Sequence, residues 1–225
     1  MKRSISMAAA ASVALLASSL ALGTAQAATV IFSDDFNSNS LAVPGTPAGW
    51  TIMPCCGGSV DVIGKDLANN TSYDLLPGNG LYVDMVGTAT QQEPNSVGSM
   101  YTTSTFGLAA GTYTLSYLLA GSQRGDGSNS VEVIIGDFIG GPNPVFETRT
   151  LGSSAAFQLF TATFTLLSPL NDVRIGFRST GTPNDNQGLL LDNVTLAAVP
   201  LPAAAWLLLS GLAGFGFVAR RKTAA

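Results

Sequence analysis

The carboxylate with the most informative position in this chain is Asp192, which lies in the segment GLLLDNVTLA near the end of the sequence. If this segment is a strand, regular alternation places Asp192 on the same face as Leu190, Val194 and Leu196. A charged group on an apolar face is costly unless it is paired or bound to a metal. Asp192 is therefore a candidate metal ligand. The alternative is a carboxylate that accepts backbone N–H bonds at a strand end or bulge.

Other carboxylates are available for the cleavage of a glycoside, but no feature of the sequence marks two of them as a desolvated pair. The chain contains no histidine, which excludes the commonest general base, the Ser-His-Asp triad and the usual zinc site. Motifs for phosphate loops, dinucleotides and nucleophile elbows are absent from the sequence. The sequence therefore predicts a protein that is not an enzyme. The carboxylates considered are Asp84, Glu93, Glu132, Asp137 and Glu147.

The aromatic residues offer weaker signals for sugar binding. Trp50 could stack on a sugar ring, but its position close to the first strand favours a place in the core. Tyr73, Tyr82 and Tyr101 are further candidates. The tripeptide at 124–126, Arg-Gly-Asp, matches an adhesion motif, but its polar surroundings favour a plain turn.

The only two cysteines, Cys55 and Cys56, are adjacent. In an oxidising compartment they can pair only with each other or with another chain. A bridge between neighbours is strained, because consecutive Cα atoms are closer than a disulfide usually requires. Both a vicinal disulfide and two free thiols remain open, and a metal site is disfavoured because no other Cys or His can complete it.

The N-terminal segment has the three parts of a secretory signal peptide. Lys2 and Arg3 are basic, residues 5–22 are uncharged, and Ala25 and Ala27 are the small residues that a signal peptidase requires. We therefore expect cleavage after Ala27. The alternative is an uncleaved membrane anchor.

The C-terminal segment has the features of a membrane-spanning helix. Residues 203–219 are uncharged, and Arg220, Arg221 and Lys222 follow at once. As a helix, this run would be about 25 Å long, close to the thickness of a bilayer core. The basic end predicts that the C-terminus is cytoplasmic and the preceding chain is outside. The alternative is a buried core helix.

Without these two ends, the chain carries five basic and fourteen acidic residues, a net charge of −9. This balance argues against nucleic acid and anionic membrane surfaces, since both attract clustered Lys and Arg. A domain of this charge can instead hold divalent cations.

The central part shows recurring short strand signals separated by turn residues, with no long helical stripe. This pattern predicts an all-β fold, an antiparallel jelly-roll β-sandwich of about ten strands. The predicted domains are a signal peptide at 1–27, the sandwich at 28–198 and a sorting signal at 199–225 with a transmembrane helix at 203–219. The predicted strands are 29–32, 50–53, 59–63, 81–86, 99–106, 112–119, 131–135, 160–166, 173–177 and 188–198.

The tail resembles a PEP-CTERM sorting signal of the VPLPA variety. The resemblance is carried by Val199, Pro200, Leu201, Pro202 and Ala203, followed by an apolar run and a basic end. It implies a Gram-negative bacterium and an exosortase-type partner that cuts near the motif. The protein would then be made as a membrane-anchored precursor. Cleavage would release its body to the cell surface or extracellular matrix.

The body resembles galactose-binding-like domains and carbohydrate-binding modules with a jelly-roll fold. The resemblance is carried by three stretches, GLYVDMVG at 80–87, AGTYTLSY at 110–117 and GLLLDNVTL at 188–196. It implies an extracellular polysaccharide as partner. It also implies a structural Ca²⁺ held by Asp192 with Asp34 or Asp35 of the first strand, and carboxylate oxygens suit this ion.

Together these features predict an exported, non-enzymatic surface or matrix protein that associates with glycan. The alternatives are a purely structural matrix or biofilm protein without a small ligand and, with less support, a glycoside hydrolase.

Overall fold

The computed structural model describes residues 27–53, 58–65, 73–88, 97–136, 143–180 and 186–200. These residues belong to one compact unit, Ala27–Pro200. The predicted signal peptide up to residue 26, the tail from residue 201, and Cys55 and Cys56 lie outside the described residues. Within the described ranges, no helix is long and apolar enough to cross a membrane. The predicted domain boundaries stay predictions.

The described part of the chain folds entirely as β-strands and connecting loops. The strands are β1 (Thr29–Asp34), β2 (Trp50–Ile52), β3 (Asp61–Gly64), β4 (Leu81–Asp84), β5 (Ser99–Thr102), β6 (Phe106–Leu108), β7 (Gly111–Ala120), β8 (Ser128–Gly136), β9 (Val145–Gly152), β10 (Gln158–Leu166), β11 (Leu170–Ser179) and β12 (Leu190–Val199).

These strands form two six-stranded sheets in which all pairs are antiparallel. Sheet A has the order β10-β7-β12-β4-β3, and β1 pairs with β12 beside β4. Sheet B has the order β2-β5-β11-β8-β9, and β6 pairs with β11. The prediction of an all-β antiparallel sandwich is confirmed. The first and last strands are neighbours, as the calcium hypothesis requires.

The core lies between the two sheets and follows the alternation of the sequence. On β7, Tyr113, Leu115, Tyr117 and Leu119 are buried, while the threonines and the serine between them are partly exposed. Each large apolar side chain that leaves water in this way stabilises the fold by about 1.5–3 kcal/mol. Trp50 is buried in this core, as predicted, and its indole Nε1 donates a hydrogen bond to Asp34.

A second, smaller apolar cluster lies on the outer side of sheet A, around Ile63, Tyr82, Ala120 and Leu190. The hydroxyl of the buried Tyr82 accepts the backbone N–H groups of Leu75 and Leu76 at 2.7 and 2.9 Å. This fastens the chain at Leu75 and Leu76, shortly before β4, over the sheet. Tyr82 is therefore a structural residue and does not present its ring to a ligand.

Asp192 shares its face with Leu190, as predicted, but not with Val194 and Leu196, because β12 contains a β-bulge. Asp192 pairs with Leu118, and the register shifts before Thr195. Asn193 has a positive φ of 50°, the left-handed backbone conformation that is found in β-bulges of the G1 type. Leu191 and Val194 therefore both face the core, and Asp192 lies on the opposite side of the sheet.

Candidate functional site

The most deeply buried carboxylate of the described chain is that of Asp84, at the end of β4. Its neighbours in the sheet are Leu190 of β12 and Asp61 of β3. Asp84 Oδ1 accepts the backbone N–H groups of Val86 and Gly188 at 3.0 and 3.1 Å. Burial raises the pKa of Asp84 to about 7, against the opposing effect of a nearby guanidinium.

That guanidinium belongs to Arg124, in the loop between β7 and β8. Its Nη1 atom donates to Asp84 Oδ2 at 2.5 Å and to the backbone carbonyl of Asn186 at 2.7 Å. Gly125 and Gly127 have positive φ angles of 75° and 95°, so the loop turns back sharply here. The Arg-Gly-Asp tripeptide therefore forms a turn, as predicted, and its arginine joins the end of β4 to the chain that precedes β12.

Asp61 lies beside Asp84 and faces a polar cleft. Its carboxylate accepts the backbone N–H of Thr88 at 3.0 and 3.1 Å and the hydroxyl of the same residue at 2.7 Å. Burial raises the pKa of Asp61, although these hydrogen bonds and the charge of Arg124 oppose the shift. The site therefore combines one largely buried carboxylate at the wall of the cleft with one guanidinium that a second, fully buried carboxylate positions.

We call this cavity the Asp61–Arg124 cleft. Its volume is about 490 Å³, within the range of small-molecule sites. Tyr73 supplies an aromatic ring that is 38% exposed. The remaining lining groups are a hydroxyl and two amides. The described residues that line the cleft are Asp61, Tyr73, Thr88, Arg124, Asn186 and Gln187.

The three carboxylates predicted to bind calcium come close to one another where β1 and β12 pair. Asp34 accepts the backbone N–H of Phe36 at 2.8 Å and the indole of Trp50 at 2.7 Å. Asp35 accepts a backbone N–H two residues further on. Asp192 accepts the backbone N–H of its neighbour in the bulge at 2.7 Å. Thus Asp192 has the local hydrogen bond that the alternative interpretation expects.

The negative charges of these carboxylates favour a bound cation. The present arrangement of their side chains is less suited to one. Burial, followed by repulsion from Asp35 and Asp34, raises the pKa of Asp192 to about 7. Carboxylate oxygens are the ligands that Ca²⁺ prefers. Within the described ranges, however, no three His, Cys, Asp or Glu side chains converge as a ready set of metal ligands. Calcium therefore stays a prediction.

Several other candidate residues have structural partners. Glu132 forms an ion pair with Arg178 on the outer face of sheet B. Glu147 pairs with Arg149 at 2.6 Å and accepts the hydroxyl of Tyr117 at 2.7 Å. On sheet B, Tyr101 lies under the guanidinium of Arg174, 5.4 Å from the ring centroid. Glu93 and Asp137 lie outside the described residues.

The sequence analysis missed Asp61, Thr88, Asn186 and Gln187 as site residues. A signal for Asp61 was available, because β3 and β4 form a pair in which Asp61 and Asp84 stand directly opposite each other. Two acidic residues at facing positions of a strand pair are unfavourable unless something else stabilises them. No comparable local pattern indicates Thr88 or Gln187, because folding brings both of them to the cleft from loops.

Comparisons with known proteins give structural neighbours only. No family model matches the chain, and no curated protein matches it. A CBM22 xylan-binding domain has a TM-score of 0.47 and 12% identity, covering 77% of this chain and 97% of that one. A cyclase from Fischerella sp. TAU has a TM-score of 0.47 and 21% identity, covering 78% and 100%.

The CBM22-1 and GH10 modules of a Clostridium thermocellum endo-1,4-beta-D-xylanase give a TM-score of 0.45 at 13% identity. That similarity covers 76% of this chain, and the chain spans 29% of the xylanase chain. We assign no function from similarities at this level.

Proposed function

We propose that this protein is an exported, non-enzymatic surface or matrix protein whose jelly-roll body binds a polysaccharide in the Asp61–Arg124 cleft. The observation that supports this most is the composition of the cleft, which combines a partly exposed tyrosine ring with a carboxylate, a guanidinium and amide groups. The purely structural alternative accounts for the Arg124–Asp84 pair but gives no reason for the exposed ring of Tyr73 beside it.

The chemistry of the cleft suits a sugar. A pyranose ring has an apolar face that can lie on an aromatic ring, as on Tyr73. Its hydroxyl groups both donate and accept, so they can bond to the carboxylate of Asp61 and to the guanidinium of Arg124. Because Asp84 and the carbonyl of Asn186 hold Arg124 in place, this donor loses little freedom on binding.

The same geometry argues against a glycoside hydrolase. Both standard mechanisms need two carboxyl groups that reach opposite sides of the scissile bond. Asp84 is fully buried and its oxygens are bonded to Arg124 and to backbone N–H groups. Among the described residues, Asp61 is therefore the one carboxylate that lines the cleft, one fewer than either mechanism uses.

A glycan array on the domain 27–200, followed by titration of the best ligand, tests the proposal. This unit has its own core, so it can be produced alone. We expect Tyr73→Ala to weaken binding about tenfold through loss of the ring contact. Asp61→Asn should also weaken binding, because the lost negative charge accepts hydroxyl hydrogen bonds more strongly than an amide.

Phe146→Ala is the matched control, since Phe146 is 59% exposed on sheet B, away from the cleft residues. Equal loss of binding in this control would place the ligand elsewhere. If no glycan gives a saturable isotherm, the structural alternative stands. Turnover of a polysaccharide that is abolished by Asp61→Asn would favour the hydrolase.

The export and sorting of the protein belong to the same proposal and follow from its sequence. We expect the exported protein to begin at residue 28 and to lack the basic cluster at 220–222 in a host with an exosortase. N-terminal sequencing and intact mass of surface material measure both ends. An N-terminus at Met1, or a tail that is still attached, would contradict the respective part.

A further inference from the structure

The edge strands of the two sheets differ in how well they are protected against pairing with another chain. An unprotected edge presents a row of free backbone N–H and C=O groups, and most proteins block it with charge, bulges or short strands. In the described part of the chain, β2, β3 and β6 have only three or four residues. The longer β1 has a bulge between Val30 and Phe32 and ends in a carboxylate.

The edge of sheet B is protected by charge. In β9, the side chains of Glu147 and Arg149 stand opposite the buried Val133 and Val131 of β8. They therefore lie on the inner side of an edge strand and form an ion pair there. Charges at such positions are a known device against edge pairing, because a second strand would have to desolvate them.

The edge of sheet A at β10 lacks all of these devices. β10 has nine residues, QLFTATFTL, with no charge and no proline. It pairs with β7 over its whole length without a register shift, and no described strand pairs with its other edge. Its outward side carries three exposed threonines and Leu159, which is 67% exposed.

The sequence of β10 is also complementary to itself in the antiparallel direction. When two copies pair around Ala162, Thr161 of one copy faces Thr163 of the other, and Phe160 faces Phe164. The inward residues meet inward residues, so the cores of both copies stay on the same side of the shared sheet. Leu167, which follows β10 and is 94% exposed, then lies diagonally beside Leu159 of the second copy.

The net charge of the domain opposes self-association at most surfaces but not at this uncharged edge. With a net charge of −9 for the chain between its two ends, two copies repel each other across most orientations. An uncharged edge strand allows close approach without placing like charges in contact. We therefore propose that the free edge of β10 pairs with β10 of a second copy, which joins two sheets A into one continuous antiparallel sheet.

The test is the oligomeric state of the domain 27–200, measured by sedimentation velocity over rising protein concentration. We expect the unmodified domain to form a dimer. Thr161 and Thr163 are exposed, so T161K/T163K should fold normally, which a melting curve checks. It should remain a monomer, because the pairing places lysines of the two copies opposite each other.

The double variant T161E/T163E should also be a monomer, whereas an equal mixture of the lysine and glutamate proteins should form a mixed dimer. The control T148K/T150K adds the same two charges to exposed positions of β9 and should leave the dimer intact. The proposal is overturned if the unmodified domain is a monomer throughout, if T161K/T163K still dimerises, or if the oppositely charged mixture does not associate.

Discussion

Arg124→Met is expected to lower the melting temperature of the domain by about 10 °C. The change removes the guanidinium that neutralises Asp84 and keeps the bulk of the side chain. Breaking one partner of a buried ion pair costs about 3–5 kcal/mol, and a domain of this size loses about 2–4 °C per kcal/mol. Among the described residues, Arg124 is the one cation in an ion pair with Asp84.

Two comparisons separate this cause from a general loss of packing. Adding Asp84→Asn to the methionine variant should recover much of the loss, because the buried charge is then gone. Arg178→Met breaks a pair in which both side chains are partly exposed, and such pairs contribute about 0–1 kcal/mol. If both arginine variants melt alike, the buried pair is not what stabilises this region.

The pH dependence gives a further control on the same variant. Burial raises the pKa of Asp84 in the folded state from its ordinary value to about 7, so the folded state binds this proton more tightly than the unfolded state. The contribution of Asp84 to stability therefore improves as the pH falls from about 7 towards 4. Loss of Arg124 raises the folded pKa further, so the methionine variant should recover towards the unmodified protein on acidification.

Asp192→Asn is expected to raise the melting temperature at pH 8 by roughly 5 °C in the presence of EDTA. The pKa of Asp192 is raised to about 7 by burial and by Asp35 and Asp34, so its ionised form destabilises the fold above that pH. At pH 4 the carboxyl is mostly protonated in the folded state, and the two proteins should melt at similar temperatures. Thermal melting at both pH values measures the difference.

Calcium decides between the two interpretations of Asp192. A ligand of the folded state at a hundredfold excess over its Kd stabilises by about 2.7 kcal/mol, again roughly 5 °C for a domain of this size. We expect millimolar calcium to raise the melting temperature of the unmodified domain and to have little effect on Asp192→Asn. If calcium changes neither protein, Asp192 is a bulge carboxylate that accepts the N–H of Asn193.

The sequence predicted those strands in which one side meets the core and the other meets water. β7 and β10 fall where alternation placed them, since their apolar residues face inward and their threonines outward. β9 was missed because the inward positions near its middle hold Glu147 and Arg149. Its sequence therefore lacks the regular alternation of apolar and polar residues. Val194 and Leu196 were wrongly placed on the face of Asp192 because one extra residue in the bulge reverses the alternation, and no pattern in the sequence marks it.

The candidate site was predictable only in its parts. Asp84 was noted as a carboxylate and Arg124 as a turn residue, but the contact between them joins residues that are 40 positions apart. Neither has a periodic signal that points to the other. Such a pair follows from the topology, which places the loop after β7 beside the end of β4, and the topology is what local sequence patterns leave undetermined.

The phenol of Tyr82, which lies outside the cleft, restricts the position of Tyr73 within it. Its hydroxyl fastens the backbone at Leu75 and Leu76, and Tyr73 lies two residues before the first of them. Any looseness at this anchor would let the ring of Tyr73 sample more positions, and a ligand would have to restrict them on binding. Affinity at the cleft thus depends on an atom that lies outside its lining and acts through conformational entropy.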